Sequence, residues 1–455
     1  MPRGAPTTGH ALRTTVARPW LVLFCASLAL ALGPASAAGR STLFVAPDGS
    51  DARNCSRAAP CASFARAYRK ARPGDTVKVA GGTYPPQILT RDTSKASGRK
   101  VAFRPARRAA VTLRGLKFGT GVASSDGPRG ISIRRMRVQD SSGRQAPVSA
   151  FAGSADLLWR DVDAAGFYVN EVRRLRIDGG DWGPCRSSGN FTTDGCTNSK
   201  IDGPGNDRIT IDGARFHDYR IVPGSGAHFE CLFLAGGTRI TVKNSRFDGC
   251  EYYDIFIQYH GAPFDGLRLL RNRFGAPYDG RGTANRVSGV SFSGRGYHWR
   301  DVRVERNSFE TGIEPDDGGG AGWERFRIAR NIGALSQGCQ TPGVQFTANV
   351  WRRGACGARD LSAPFGYEVQ DGSLARSPKA ATVVRRIFAA RLRGRPARAI
   401  ARALRHRRAT APAGGWTGAR VSAVLRNRAY RGGLFGVPGA HPPLVSRVAW
   451  RGAQR

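Results

Sequence analysis

One short pattern of apolar and polar positions recurs between about residues 42 and 347. Two apolar residues alternate with a polar one, a small or polar turn follows, and a third apolar residue comes five positions after the second. Alternation predicts a strand, and a strand and turn that return every few tens of residues predict a solenoid of stacked coils. Members of the set are Ile131, Ile133 and Val138; Leu175, Ile177 and Trp182; Ile209, Ile211 and Phe216; Ile240, Val242 and Phe247; and Val302, Val304 and Phe309.

The intervals between copies narrow the kind of solenoid. The second apolar positions are 177, 211, 242, 269, 304 and 328, which lie 24 to 35 residues apart. Such variation excludes a strict-period solenoid, and the lack of a helical pattern between strands disfavours a leucine-rich-repeat horseshoe. Asn244, Asn272, Asn307 and Asn331 occupy the turn, where Asn tolerates left-handed backbone and can hydrogen-bond along a stack. The pattern predicts a mainly β protein, a parallel β-helix.

The beginning of the repeat region carries a more specific signal. A strand and turn (42–50) precede a short amphipathic helix (61–71) with Phe64, Ala67 and Tyr68 on one face, and a turn and strand (73–84) follow. This run resembles the N-terminal cap of secreted right-handed parallel β-helix proteins of the pectate-lyase-like superfamily. The resemblance implies a right-handed parallel β-helix solenoid with an N-terminal cap over residues 42–356. Relatives of this fold act on glycans as lyases, hydrolases or epimerases, or only bind them, so the fold leaves the activity open.

The N-terminus predicts export. Basic residues precede an apolar run (21–32) and a small-residue segment that ends at Ala37, which is the pattern of a cleavable signal peptide over 1–37. No later segment is long and apolar enough to span a bilayer. We therefore expect a protein that is secreted or located at the cell surface.

The cysteines agree with an oxidising compartment. Eight remain after the signal segment, and they fall as four pairs of near neighbours. An even count in an exported chain suggests disulfides, and pairing of neighbours costs the least loop entropy. The pairs are Cys55 and Cys61, Cys185 and Cys196, Cys231 and Cys250, and Cys339 and Cys356. Their spacing is not that of a zinc site, so no metal or other cofactor is expected, and Ca²⁺ is possible but not indicated.

One cluster in the predicted β-helix could carry acid–base chemistry. His228 and Glu230 share one face of a strand, and Asp254 and His260 follow one coil later. Stacking would bring these four side chains together beside tyrosines that could support a sugar ring. We treat them as candidate catalytic residues. The alternative is that His228 and Glu230 are structural residues at the end of a ladder, paired with neighbouring Arg.

The chain changes character after residue 356. Residues 363–455 hold 18 Arg and one Lys against Glu368 and Asp371, a net charge of +17 out of +38 for the whole chain. Three amphipathic helical patterns replace the strands, beginning after Ser377, at Pro396 and after Thr417. Pro at a first helical position and Thr at an N-cap are typical helix starts. A small, mainly α domain with Arg-rich outer faces is predicted over 363–455, and such a domain suits DNA.

The residues of this segment resemble a known family. The motif Pro-Phe-Gly-Tyr at 364–367, Val-Val-Arg-Arg-Ile-Phe at 383–388, Trp-Thr at 416–417 and Ala-Tyr at 429–430 are similar to the recombinase domain of large serine recombinases. Arg428 departs from the family, which commonly has Pro there. The resemblance implies DNA as a partner, and the predicted DNA contacts are Arg402, Arg405, Thr417, Arg420 and Arg426. Nothing in 1–362 resembles the family's catalytic resolvase domain, so no stand-alone recombinase activity is expected.

These two segments lead to two hypotheses. In the first, the protein is an exported β-helix that binds or processes an acidic polysaccharide or another glycan and carries a recombinase-type DNA-binding domain. The high net charge supports an acidic partner, although a GC-rich genome would also raise the Arg content. In the second, the protein binds DNA in site-specific recombination and the β-helix is a scaffold.

Overall fold

The structure is a computed structural model of the chain. It describes residues 40–95, 98–139, 146–187, 199–221, 229–258, 264–275, 289–293, 299–315, 323–336, 343–353, 363–370, 373–434, 437–438 and 441–454. The strands up to residue 353 pair in parallel, and each coil contributes strands to three sheets that run along the solenoid. The predicted parallel β-helix is thus confirmed.

The first sheet holds the alternating apolar pairs of the repeat. Its strands are Thr42–Val45, Thr76–Val79, Val101–Pro105, Arg129–Val138, Ala155–Ala164, Arg173–Asp178, Thr210–Asp212, Thr241–Lys243, Arg268–Leu270, Arg303–Glu305, Phe326–Ala329 and Val344–Thr347. In-register pairs such as Ile177 with Ile211 and Val242 with Leu269 point inward and are fully buried. Each coil therefore buries its anchors against the coils above and below it.

The second sheet follows after a short turn and holds the third apolar position. Its strands are Gly82–Tyr84, Val111–Leu113, the ends of Arg129–Val138 and Ala155–Ala164, Asp181–Trp182, Cys185–Ser187, Arg215–Ile221, Arg246–Cys250, Arg273–Phe274, Ser308–Pro315, Ile332–Ser336 and Val350–Arg353. Phe216, Phe247, Phe274 and Phe309 lie in register, with ring centroids 4.7–5.2 Å apart. This stack of buried rings is a large part of the core.

The third sheet closes each coil. Its strands are Gln87–Leu89, Leu116–Phe118, Val148–Ala150, Phe167–Asn170, Ser199–Asp202, Leu232–Ala235, Ile255–Gln258, Val290–Ser293 and the end of Ser308–Pro315. A short fourth ladder consists of Phe264–Asp265, Trp299–Arg300 and Trp323–Glu324.

Asn side chains hold the turn between the first and second sheets. Asn272, Asn307, Asn331 and Asn349 are buried, and the Oδ1 of each of the last three accepts the backbone N–H of the preceding Asn in the ladder at 2.8–2.9 Å. Asn244 has a positive φ of 52° but is exposed, and Ser245 continues the ladder in its place, with its N–H donating to Asn272 Oδ1. The side chains thus satisfy turn N–H groups that would otherwise be buried without partners.

The N-terminal cap is formed by helix α1 (Phe64–Lys70). Phe64, Ala67 and Tyr68 are buried, as their spacing predicts. Ser63 caps the helix by accepting the N–H of Arg66, and Gln87 from the third sheet accepts the N–H of Phe64 at 2.8 Å. The helix covers the apolar end of the first coils.

Disulfides join neighbouring cysteines in the β-helix. Cys55 is bonded to Cys61 and Cys231 to Cys250, as predicted. Cys185 is also disulfide-bonded; its predicted partner Cys196, and the pair Cys339 and Cys356, lie outside the described residues.

The C-terminal segment has a separate hydrophobic core. An antiparallel hairpin (Tyr367–Gln370 and Ser373–Arg376) precedes α2 (Pro378–Leu392), α3 (Ala397–His406) and α4 (Gly418–Arg426). A 3-10 turn (Arg428–Arg431), a short hairpin (Gly433–Leu434 and Val437–Pro438) and α5 (Arg447–Gly452) follow. In the parts of the chain that the structure describes, no helix is long and apolar enough to cross a membrane.

Candidate functional site

A row of large side chains runs along the outer face of the third sheet. The register pairs Tyr168 with Lys200, Lys200 with Phe233, and Phe233 with Phe256 on four consecutive coils. These residues alternate with buried ones such as Val169, Ile201, Leu234 and Ile257, so they point away from the core. We call Tyr168, Lys200, Phe233 and Phe256 the aromatic row.

The rings and the cation of this row are in contact. The Lys200 Nζ lies 4.8 Å from the centroid of the Phe233 ring, and the Phe233 and Phe256 centroids are 5.4 Å apart. Tyr253 stacks on Phe256 at 5.1 Å, with 9° between the ring planes. Phe233 and Tyr253 are partly exposed. Aromatic faces of this kind can pack against the apolar face of a sugar ring.

A polar cluster adjoins the row at Lys200. Asp202 Oδ2 accepts a hydrogen bond from the Tyr168 hydroxyl at 3.0 Å and lies 3.0 Å from Lys200 Nζ. Burial, followed by the charge of Asp202, raises the pKa of Tyr168, so its hydroxyl remains a hydrogen-bond donor at neutral pH. The cluster thus places one cation, one carboxylate and one hydroxyl beside the rings.

A second polar cluster surrounds Tyr253. Its phenol hydrogen-bonds with Ser291, and the charges of Glu314 and Glu230 act on it. Ser291 and Glu314 continue the register of the aromatic row beyond Phe256. Burial is the main cause of the raised pKa of Tyr253, and the two carboxylates add to it. The carboxylates of Glu230 and Glu314 therefore lie near Tyr253, which stacks on the aromatic row at Phe256.

The structure brings two of the four candidate catalytic residues onto neighbouring coils. Glu230 and Asp254 come just before the paired strands Leu232–Ala235 and Ile255–Gln258, and they are 1% and 2% exposed. The Leu232 N–H donates to the carbonyl of Asp254 at 3.2 Å, which fixes the two coils together. His228 and His260 lie outside the described residues, and a catalytic role for the four residues stays a prediction. Among the described residues, no group of three or more His, Cys, Asp or Glu could hold a metal ion.

Sequence reasoning missed the aromatic row, although a signal for it exists. The third strand of four successive coils reads Phe-Tyr-Val-Asn, Ser-Lys-Ile-Asp, Leu-Phe-Leu-Ala and Ile-Phe-Ile-Gln. The strand pairing shows that the second residue of each of these strands points outward. The sequence pattern does not identify Phe233 and Phe256 as outward residues, because an apolar residue between two apolar residues is typical of a fully buried strand.

The basic C-terminal helices form a second candidate site. Arg402 on α3 and Arg426 at the end of α4 are exposed and, within the described part of the chain, form no ion pair or hydrogen bond through their side chains. Cations placed in this way are free to contact phosphate groups.

Three of the predicted DNA contacts have structural partners. Arg405 Nη1 donates to the carbonyl of Trp416 at 2.6 Å, and Arg420 Nη1 donates to that of Gly415 at 2.8 Å. Thr417 is the N-cap of α4 and accepts the N–H of Arg420. These side chains hold the loop between α3 and α4 in place; contact with DNA stays a prediction for all five residues.

Comparison with known families identifies the class of the C-terminal segment. Residues 378–455 match the family model described as Recombinase. The matched segment begins at the first residue of α2. The chain is therefore a mainly β parallel β-helix with a recombinase-type domain at its C-terminus. No curated protein matches the sequence significantly.

The chain also has distant similarity to several solved structures. A complex of XylC with xylose shares 8% identity and a TM-score of 0.39, covering 68% of this chain and 70% of that one. Pectate lyase Pel9A shares 13% identity and a TM-score of 0.34, covering 73% and 74%. PfbA, a surface adhesin of Streptococcus pneumoniae, shares 13% identity and a TM-score of 0.36, covering 61% and 82%.

Proposed function

We propose that this protein is exported and that its β-helix binds an acidic polysaccharide on the outer face of the third sheet. The aromatic row is the observation that carries the proposal. Phe233 and Tyr253 are the partly exposed rings of this face, on either side of the buried Phe256, and they offer apolar surface to a sugar ring. Polar groups at both ends can hydrogen-bond sugar hydroxyls.

The net charge of the chain favours an acidic polymer. Lys200, the cation beside Phe233, is paired with Asp202 at 3.0 Å, whereas the whole chain has a net charge of +38. A positive protein field attracts polyanions and speeds their association. Export is supported by the signal-like segment over 1–37 and by the disulfides, which persist in oxidising compartments.

Binding of polygalacturonate to the full chain tests this proposal. Phe233→Ala removes a partly exposed ring from the row, and we expect an affinity about tenfold lower, as stacking of one ring contributes about 1 kcal/mol or slightly more. Ile88→Ala is the matched control, because Ile88 is exposed and points outward on the same sheet near the N-terminal cap. Equal affinities for both variants would refute the assignment of the face.

A second function is favoured by the C-terminal segment. We propose that residues 378–455 contact duplex DNA through the exposed Arg402 and Arg426. Arg–phosphate contacts release counterions, so binding weakens steeply with salt, and each lost contact lowers the slope of log K against log salt by about 0.9.

A gel shift of the full chain with a duplex at several salt concentrations tests the DNA proposal. Arg402→Ala with Arg426→Ala should reduce the salt slope by about 2. The matched control is Arg303→Ala with Arg327→Ala on the first sheet, which removes the same charge from the β-helix and should leave the slope unchanged. Absence of salt-sensitive binding, or the same change in both variants, would contradict DNA contact by these helices.

A further inference from the structure

A row of four cations lies on the outer face of the first sheet, and three of them have no carboxylate partner among the residues that the structure describes. The register pairs Lys78 with Arg104 and Arg134 with Arg160. Arg104 directly follows Phe103, which pairs with Ile133, so Arg104 stands next to Arg134 along the stack. We call Lys78, Arg104, Arg134 and Arg160 the cation ladder; it has one positive charge on each of four consecutive coils.

The cations of the ladder act on one another. Burial lowers the pKa of Arg134, and the charges of Arg160 and Arg104 lower it further. Like charges that face each other across strands are destabilising. The fold therefore keeps this row at an electrostatic cost, which an anionic ligand would remove.

Carboxylates are few in this part of the sheet. The outward positions next to the ladder are Thr76, Ala102, Ser132 and Leu158, and Asp156, near the start of the fourth strand, is paired with Arg174 at 2.6 Å. Within the described part of the chain, Lys78, Arg104 and Arg134 form no ion pair; Arg160 at the end of the ladder pairs with Asp178 at 2.6 Å.

The later coils of the same sheet are built differently. Arg176 pairs with Asp178 and Asp212, Arg303 lies 3.8 Å from Asp301, and Arg327 lies 3.8 Å from Glu305. A general excess of Arg in the sequence would leave unpaired cations on all coils alike. The unpaired cations are instead concentrated on the first coils, which favours a binding site on this surface.

The spacing of the ladder selects the ligand. Strands of neighbouring coils lie about 4.8 Å apart, so four cations span roughly 14 Å. Phosphates on one strand of duplex DNA advance by about 3.4 Å along the axis, and side chains on one face of an extended peptide repeat every second residue, about 6.6 Å apart. A sugar residue is longer than the first step, shorter than the second and close to the coil spacing.

We propose that the cation ladder is an accessory site for a linear acidic polysaccharide with one anionic group per sugar, lying along the solenoid axis. It takes its ligand class from the function proposed above but uses a different face of the β-helix. Lys78, Arg104 and Arg134 each meet one carboxylate of the polymer, in charge-assisted hydrogen bonds that are shorter and stronger than neutral ones.

Two variants of equal charge test the site in the full chain. The ladder variant carries Lys78→Gln, Arg104→Gln and Arg134→Gln; the control carries Arg176→Gln, Arg303→Gln and Arg327→Gln on the same sheet. Binding to polygalacturonate is measured at several salt concentrations. We expect the ladder variant to bind about tenfold more weakly and to lose about 2 from the salt slope, by the counterion-release relation for flexible polyanions. The control should stay within about twofold of the wild type.

The outcomes separate this proposal from its alternatives. Equal weakening of both variants would mean that net charge alone matters and would overturn the site. Loss of single-stranded DNA binding with unchanged polygalacturonate binding would replace the polysaccharide by nucleic acid. The Phe233→Ala variant reports on the aromatic row separately: if it binds normally while the ladder variant is weakened, the ladder stands and the proposed site on the third sheet fails. Circular dichroism of both triple variants checks that the fold is intact.

Discussion

Removal of one Asn from the buried ladder should destabilise the β-helix strongly. Asn307 is fully buried, and its side chain makes four hydrogen bonds. Its Oδ1 accepts the backbone N–H of Asn272 at 2.8 Å, and its Nδ2 donates to the carbonyl of Leu269 at 2.9 Å. Asn307→Ala leaves both backbone groups buried without these partners.

The size of the effect follows from those two groups. A buried polar group that loses its partner costs about 1–3 kcal/mol, so Asn307→Ala should lower the free energy of unfolding by roughly 2–6 kcal/mol. The loss of stability is measured by equilibrium unfolding in urea, monitored by far-UV circular dichroism, and it should appear as a lower midpoint concentration of urea.

A matched control lies two coils earlier in the same turn. Asn244 is exposed and has a φ of 52°, and its side chain hydrogen-bonds with the surface groups of Asp212 and Arg271. Asn244→Gly keeps the backbone conformation accessible and should cost below about 1 kcal/mol. Similar shifts for the two variants would refute the view that the buried ladder stabilises the turns.

Two further predictions concern pH and the disulfides. His441 packs edge-on against the Tyr367 ring, with centroids 4.6 Å apart, and its burial lowers the pKa of the imidazole. Because the folded state disfavours the protonated form, the stability contributed here is full above about pH 6.5, the unfolded value, and is lost as the pH falls through the lower folded pKa. Limited proteolysis of residues 363–455 should accelerate between pH 7.5 and 5.5 in the wild type, and His441→Gln should flatten that change; an unaltered pH dependence in the variant would disprove the role of His441. Loss of the Cys231–Cys250 disulfide, which closes a separation of 19 residues, should lower the free energy of unfolding by about 3 kcal/mol. Loss of Cys55–Cys61, with a separation of 6, should cost about 2 kcal/mol; urea midpoints of the two Cys→Ser double variants compare them, and a larger effect of the shorter loop would argue against the entropic explanation.

Most of the fold could be predicted because the inward positions of each coil are apolar and have the same local spacing, although the interval between coils varies. Ile211, Val242 and Phe247 are fully buried anchors, and their alternation is a local property of the sequence. The starts of α2 and α4 are likewise local: Pro378 occupies the first helical position of α2, and Thr417 caps α4 by accepting the N–H of Arg420.

The features that were not predicted depend on contacts between distant residues. Ser245 replaces Asn244 in the buried ladder. The folded turn decides which of these two adjacent polar residues lies inside, and the sequence pattern does not. Arg405 and Arg420 bind loop carbonyls, and only the folded loop between α3 and α4 supplies these acceptors.

The candidate site was predicted in part. The coil stacking follows from the repeat, and Glu230 and Asp254 do lie on neighbouring coils at the same edge of the third sheet. The aromatic row depends on the register of the third strand, which the anchors of the first two sheets do not determine. Phe233 and Phe256 are apolar residues on an outer face, and the alternation rule cannot distinguish them from core residues.

Hydroxyl-radical footprinting of the full chain with a short oligogalacturonate locates the bound sugar on the protein surface. Oxidation of exposed side chains is read by mass spectrometry with and without the sugar. If the sugar binds as proposed, Phe233 and Tyr253 on the outer face of the third sheet are protected, and the oxidation of Ile88 on the same sheet and of Trp450 in the C-terminal domain is unchanged. Unchanged oxidation of Phe233 and Tyr253 at saturating sugar would contradict binding on this face.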